Sequence, residues 1–147
     1  MAVANQDLVH HLNQLIALDF DAIAAYDQAI DRLQDPTCKS QMSTFKRDHE
    51  QHVRDLSSLV TRYGGTPRQR GDAKQMVTQG MVVIRSITGD KGIMKAMKTN
   101  EDQTNAGYEK AVAMRDIPND VRTVLEKNLS DERRHRSWII DQINKMQ

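Results

Sequence analysis

Four long stretches of this chain carry an apolar stripe at steps of three and four, and each stripe is broken near its centre by ionisable residues. An α-helix turns once in 3.6 residues, so such steps keep one face turned toward a core. The first stripe runs Leu8, Leu12, Leu15, Asp19, Ala22, Tyr26, Ala29, Leu33. The second runs Met42, Phe45, His49, His52, Leu56, Leu59, Tyr63. A third follows Met94, Met97, Glu101, Thr104, Tyr108, Ala111, and the last Val121, Leu125, Asn128, Glu132, His135, Ile139. Helices that bury their ends in apolar contact and their middles in polar contact must solve the same electrostatic problem at one level.

Glycine and proline mark the joints. Asp35-Pro36 predicts an N-cap followed by a first-turn proline. Gly64-Gly65-Thr66-Pro67 is the strongest break, and Gly89-Asp90-Lys91-Gly92 and Asp116-Ile117-Pro118-Asn119 are two further turns. These joints predict helical segments over 6–33, 36–63, 72–88, 91–114 and 118–146. The third segment is shorter and suits a crossover connection. The expected fold is all-α: one domain over 1–147, a four-helix bundle with a short extra crossover helix.

The polar residues converge on a set of six: Asp19, His49, His52, Glu101, Glu132 and His135. A buried charge without a partner costs several kcal/mol or gives up its charge. Three carboxylates and three imidazoles on inward stripes need a common partner, and a divalent cation supplies one. The oxygen and imidazole mix suits iron, manganese or zinc. Glu132 and His135 stand at i and i+3, as do His49 and His52, so each pair can reach one ion.

The two halves repeat. Asp19 precedes Tyr26 by seven positions, and Glu101 precedes Tyr108 by seven, with Ala29 and Ala111 three further on. Asp48-His49-x-x-His52 answers Asp131-Glu132-x-x-His135. Asp19 to His52 spans 33 positions, and Glu101 to His135 spans 34. Two such hairpins face to face would give one donor set from each half, a geometry suited to two metals.

This pattern resembles the ferritin-like di-iron carboxylate superfamily, in which two helices supply one Glu each and two others Glu-x-x-His. The resemblance extends over nearly the whole chain. The surroundings of Asp48-His-Glu-Gln-His and the Gly-Gly-Thr-Pro break resemble small bacterial ferritin-like proteins of uncharacterised function. Glu101, Glu132 and His135 match the motif, and His52 matches its second histidine. Asp19 stands where a Glu is expected, and His49 replaces the first Glu-x-x-His glutamate. In the family those glutamates bridge the metals, which imidazole does not do in the same way, so Glu132 is left as the obvious bridge.

The resemblance implies two iron ions, with manganese or zinc as alternatives, reacting with peroxide or oxygen in iron handling or oxidative-stress defence. Asp19 and Glu101 would be terminal ligands. Two other classes compete: a binding or structural protein holding a structural ion such as zinc, and a metal-free buried network that fixes helix register.

Several residues carry blander readings. Tyr26 and Tyr108 are read as core packing, and the methionines as core filler. Asp48 and Asp131 fall at the edge of their stripes, where helical phase makes them solvated neighbours of the histidines rather than partners. Cys38 lies near a helix start, a place that can lower a thiol pKa, yet it has no evident partner and is read as incidental. His10 and His11 are read as exposed, and Arg32, Lys46-Arg47, Lys95-Lys98 and Arg133-Arg134 as solvated faces.

With 21 basic and 20 acidic residues the formal charge is +1, which gives no reason to expect nucleic acid or an anionic membrane. Apolar runs such as Met81 to Ile84 are far below a membrane span, and the first residues do not resemble a signal peptide. A single cysteine excludes an intramolecular disulfide and fits a cytoplasmic setting. A homodimer is the simplest expected assembly.

Overall fold

The computed structural model describes residues 2–70, 84 and 87–146. Among these, four helices make up the architecture: α1 (Ala2–Arg32), α2 (Pro36–Arg62), α3 (Asp90–Val112) and α4 (Asn119–Lys145). They pack as an all-α bundle in which α1 touches α2 and α3, and α4 touches α2 and α3. The predicted segments 6–33, 36–63, 91–114 and 118–146 correspond to these four within a few residues. Most of the predicted crossover helix, 72–88, lies outside the described residues.

The ends show how the chain is threaded. At the first joint, Asp35 caps α2 by accepting from the Cys38 amide at 2.9 Å, with Pro36 in the first turn. Asp90, at the start of α3, accepts from the amides of Gln34 and Asp35, both at 2.9 Å. The start of α3 is therefore pinned to the α1–α2 turn. At the opposite end, the Tyr63 hydroxyl and Arg62 guanidinium both donate to Asp120 at 2.7 Å, tying the end of α2 to the start of α4. Residues 63 and 90 thus stand at opposite ends of the bundle, so α2 and α3 are joined by a crossover rather than a hairpin turn. Neighbouring helices run antiparallel, and α2 and α3 run parallel across the diagonal.

The Gly64-Gly65 break has a steric origin. Gly64 adopts φ 85°, a left-handed conformation that costs glycine little. A Cβ on Gly65 would come within 2.4 Å of Val9 Cγ1, so only glycine lets this backbone lie on α1. In the α3–α4 turn, Arg122 donates to the terminal carbonyls of Val112 (3.0 Å) and Met114 (3.1 Å), satisfying groups the helix leaves open.

The apolar interior divides in two. One cluster includes Tyr26, Met42, Phe45, Met94, Met97 and Ile139; the other includes Leu12, Ile16, Leu56, Tyr108, Val121 and Leu125. Every residue of the four stripes is buried except Tyr63, which is half-buried and turns its hydroxyl to Asp120. Met94 and Met97 are packed in the core, as expected of filler, while Met114 is half-buried and belongs to neither cluster, and Met76 and Met81 lie outside the described residues. Between the two clusters lies the polar layer.

Candidate metal centre

Each helix places its polar residues at the middle of its buried face because the apolar residues on either side fix its phase. All six predicted donors meet there, and each is 0% exposed. They form two overlapping quartets whose donor atoms lie within 4.8 Å of one another: Asp19, His49, His52 and Glu132, and His49, Glu101, Glu132 and His135. His49 and Glu132 belong to both.

His49 occupies the middle of the layer. Its Nδ1 lies 2.7 Å from Asp19 Oδ1, while its Nε2 lies 3.1 Å from Glu101 Oε2 and 3.3 Å from Glu132 Oε1. His52 Nδ1 lies 3.2 Å from the same Asp19 oxygen. His135 Nδ1 faces Glu101 Oε2 at 3.5 Å and Glu132 Oε1 at 3.4 Å.

A set of reciprocal contacts supports this layer. Across the α1–α3 seam, the Tyr26 hydroxyl donates to Glu101, and the Tyr108 hydroxyl donates to Asp19 Oδ2 at 2.6 Å. Across the α2–α4 seam, His52 Nε2 pairs with Asp131 at 2.9 Å, and His135 Nε2 with Asp48 at 2.8 Å. Arg134 reaches both aspartates, 3.0 Å from Asp48 and 3.1 Å from Asp131. The pseudo-twofold relation read from the repeat is therefore a relation of contacts. Each half holds the donors of the other.

Three sequence readings change here. Tyr26 and Tyr108 are fully buried but also bond the terminal carboxylates, so packing is only part of their role. Asp48 and Asp131 are half-buried partners of the histidines rather than solvated neighbours. Helical phase does put them at the stripe edge, but in a four-helix square the edge of one stripe faces the edge of the next. Arg134, read as part of a solvated face, is exposed yet clamps both. The repeated Asp before each ligand pair was the available signal.

Burial opposes charge throughout the layer, and the hydrogen bonds decide the outcome. It pushes Asp19 and Glu101 toward the neutral form, yet His49 and His52 hold Asp19 below the usual carboxylate range. His135 and His49 likewise hold Glu101 at about 2. Burial also disfavours imidazolium, but the surrounding carboxylates outweigh it: His49 is held well above its ordinary value, His52 is raised, and His135 is raised to about 10. Glu132 differs. Burial raises its carboxyl, and its nearest donors, His49 Nε2 at 3.3 Å and His135 Nδ1 at 3.4 Å, are too poorly aligned to make a good hydrogen bond to either oxygen.

That orphaned carboxylate tests whether the residues suit a metal. Glu132 Oε1, Glu132 Oε2 and His135 Nδ1 are buried without a hydrogen-bond partner, and all three belong to the second quartet. Buried polar atoms are nearly always satisfied. Carboxylate oxygens, with imidazole nitrogens that give up their protons on binding, converge here at a spacing that fits a divalent ion.

The family described as domain of unknown function DUF2383 matches residues 7–114. The chain belongs to this family. The match takes in α1, α2 and most of the donor layer but stops before α4, which supplies Glu132 and His135. Comparison with curated proteins finds no match.

Elsewhere, Cys38 is 1% exposed. Its thiol is pushed up to about 12, by burial first and then by Asp35 and Asp90, opposite to the lowering that a helix start can give. His10 is exposed, and His11 is half-buried 3.6 Å from Asp7. No described helix is long and apolar enough to cross a membrane.

Proposed function

We propose that this DUF2383 protein is a ferritin-like metal protein whose central layer binds two iron ions for reaction with peroxide or oxygen. The observation that carries the reading is the pair of buried quartets sharing His49 and Glu132, with both Glu132 oxygens unbonded. Asp19 and His52 would serve one ion, Glu101 and His135 the other. Ferrous ions held there would supply electrons to peroxide or dioxygen.

The chain's own residues set the conditions. Two apolar clusters shield the layer from water, and the buried tyrosines fix the orientation of Asp19 and Glu101. Asp48 and Asp131 hold the outer imidazole nitrogens, which leaves the inner nitrogens to face the site. Iron handling or oxidative-stress defence is the role proposed, in a cytoplasmic setting that suits the lone buried thiol, with a homodimer as the proposed assembly.

Elemental analysis of iron-loaded protein tests this, comparing the parent with a Glu132→Ala, His135→Ala double variant. Two irons per chain in the parent, lost in the variant, and oxidation of the loaded iron by peroxide are the expected results. A single redox-silent zinc retained under iron loading would favour the structural-ion reading, to which the extra nitrogen donor of His49 lends itself. No metal in either sample would sink the proposal.

A further inference from the structure

The residue that breaks the di-iron pattern, His49, is one of the two that belong to both donor sets, with Glu132 the other. His49 directs Nδ1 toward the α1–α2 set, 2.7 Å from Asp19 Oδ1, an oxygen that also lies 3.2 Å from His52 Nδ1. It directs Nε2 toward the α3–α4 set, 3.1 Å from Glu101 Oε2 and 3.3 Å from Glu132 Oε1. The ring is fully buried and is held from both ends. An imidazole ring has two nitrogens on opposite edges, each with an in-plane lone pair once its proton is gone. A carboxylate in this place would bring two ions close together. An imidazole here separates them.

We infer that His49 is itself the bridge of the centre, binding one divalent ion through Nδ1 in the Asp19–His52 half and a second through Nε2 in the Glu101–His135 half. This inference rests on the two-metal reading above and specifies its geometry. With both nitrogens bound to metal the ring carries no N–H, so any ring proton present in the metal-free protein leaves to solvent. Metal–nitrogen bonds of about 2.0–2.1 Å on either side of a ring about 2 Å across put the ions about 6 Å apart. Carboxylate-bridged pairs lie about 3.5–4 Å apart. Ions so far apart do not share a small oxygen ligand directly, so the two halves act as adjacent sites coupled through one ring. Three rings pack close to it: the Tyr26 ring lies 5.3 Å from the His49 ring, and the His52 and His135 rings lie 5.4 Å and 5.2 Å from it.

The test uses the full chain loaded with Co(II), which is stable to air in such sites and visible to anomalous scattering. Stoichiometry comes from elemental analysis and the separation from anomalous difference maps of loaded crystals. Two cobalt ions about 6 Å apart, one on each side of His49, are expected. In His49→Glu, which restores a carboxylate, the pair is expected to close to about 3.5–4 Å. Two ions at that short distance in the parent would overturn the bridge while leaving the two-metal reading intact. One ion per chain would overturn it too, since a bridge needs two. No bound cobalt, together with no bound iron, would remove the metal reading itself. Should His49→Glu fail to fold, the separation in the parent decides alone.

Discussion

Asp131 on α4 holds the outer nitrogen of His52 on α2, 2.9 Å away, and Asp48 on α2 returns the same contact to His135 on α4 at 2.8 Å. His52 and His135 are thus each oriented by a carboxylate from the opposite hairpin. Partners of this kind fix ring rotation and raise ligand basicity. Asp48→Asn and Asp131→Asn keep the shape but lose the charge, and each is expected to weaken metal affinity about 10–100-fold. Competition with a coloured chelator measures it. An unchanged affinity in both variants would mean that the histidines do not bind through their inner nitrogens.

Glu132 has two buried oxygens and no hydrogen bond, so metal is expected to matter more to it than to any other residue of the layer. A ligand that binds only the folded state stabilises it by about 2.7 kcal/mol at a hundredfold excess over its Kd. Chelation should therefore lower the melting temperature of the parent. In Glu132→Leu the metal-dependent increment should vanish. The metal-free variant should be less stable than the metal-free parent near neutral pH, because His49 and His135 lose a buried carboxylate 3.3 Å and 3.4 Å away. Scanning calorimetry with and without chelator reads both quantities.

Tyr26 and Tyr108 each bond a carboxylate across the α1–α3 seam. Each of Tyr26→Phe and Tyr108→Phe removes one hydroxyl: the second strands Asp19 Oδ2, and the first leaves Glu101 Oε2 with only the longer His49 contact at 3.1 Å. Each should cost about 1–3 kcal/mol in urea unfolding of the metal-free protein. If either costs less than about 0.5 kcal/mol, as a surface change would, the tyrosine serves packing alone.

How much of this was legible follows from helical phase. A stripe broken by Asp19 or Glu132 says which residues point inward, because apolar neighbours three and four positions away fix the face. It therefore located all six buried residues of the polar layer and both tyrosines. Phase does not say which stripe edges will meet. The partnership of Asp48 with His135, and of Arg134 with both aspartates, depends on α2 lying beside α4, which no single helix encodes. The role of His49 was hidden for another reason: its spacing marks it as a donor, but only its orientation shows two nitrogens facing two sets. For Cys38 the helix-start position was visible in the sequence, and its burial near Asp35 and Asp90, which raises the thiol, was not.

Cys38 offers a probe of opening. Its thiol is 1% exposed and pushed up to about 12, so at neutral pH it is both inaccessible and almost entirely protonated. Thiolate is the reactive form. Alkylation by iodoacetamide in native buffer should be negligible over hours and complete within minutes in denaturant. Rapid labelling of the native protein would show that the α1–α2 turn opens independently of the rest.

The layer should also give the metal-free protein an acidic stability optimum. His135 rises from 6.5 to about 10 on folding, because Asp48 and the inner carboxylates outweigh burial. A group raised in this way contributes stability that is complete below 6.5 and lost as pH rises through about 10. His49 and His52 shift in the same direction. Glu132, raised by burial, adds to the loss on the alkaline side. Glu101 works at the other limit: lowered from 4.5 to about 2, it contributes stability present above 4.5 and lost as pH falls through about 2. Metal binding reverses the balance, because an imidazole nitrogen must lose its proton before it can bind. From about pH 5.5 to about pH 9 the chelated protein should lose melting temperature while the metal-loaded protein gains on it, so that the gap between them widens. Melting curves of the two forms across that range check this, and a chelated protein that grows more stable toward pH 9 would show that its imidazoles are not held as cations by the carboxylates around them.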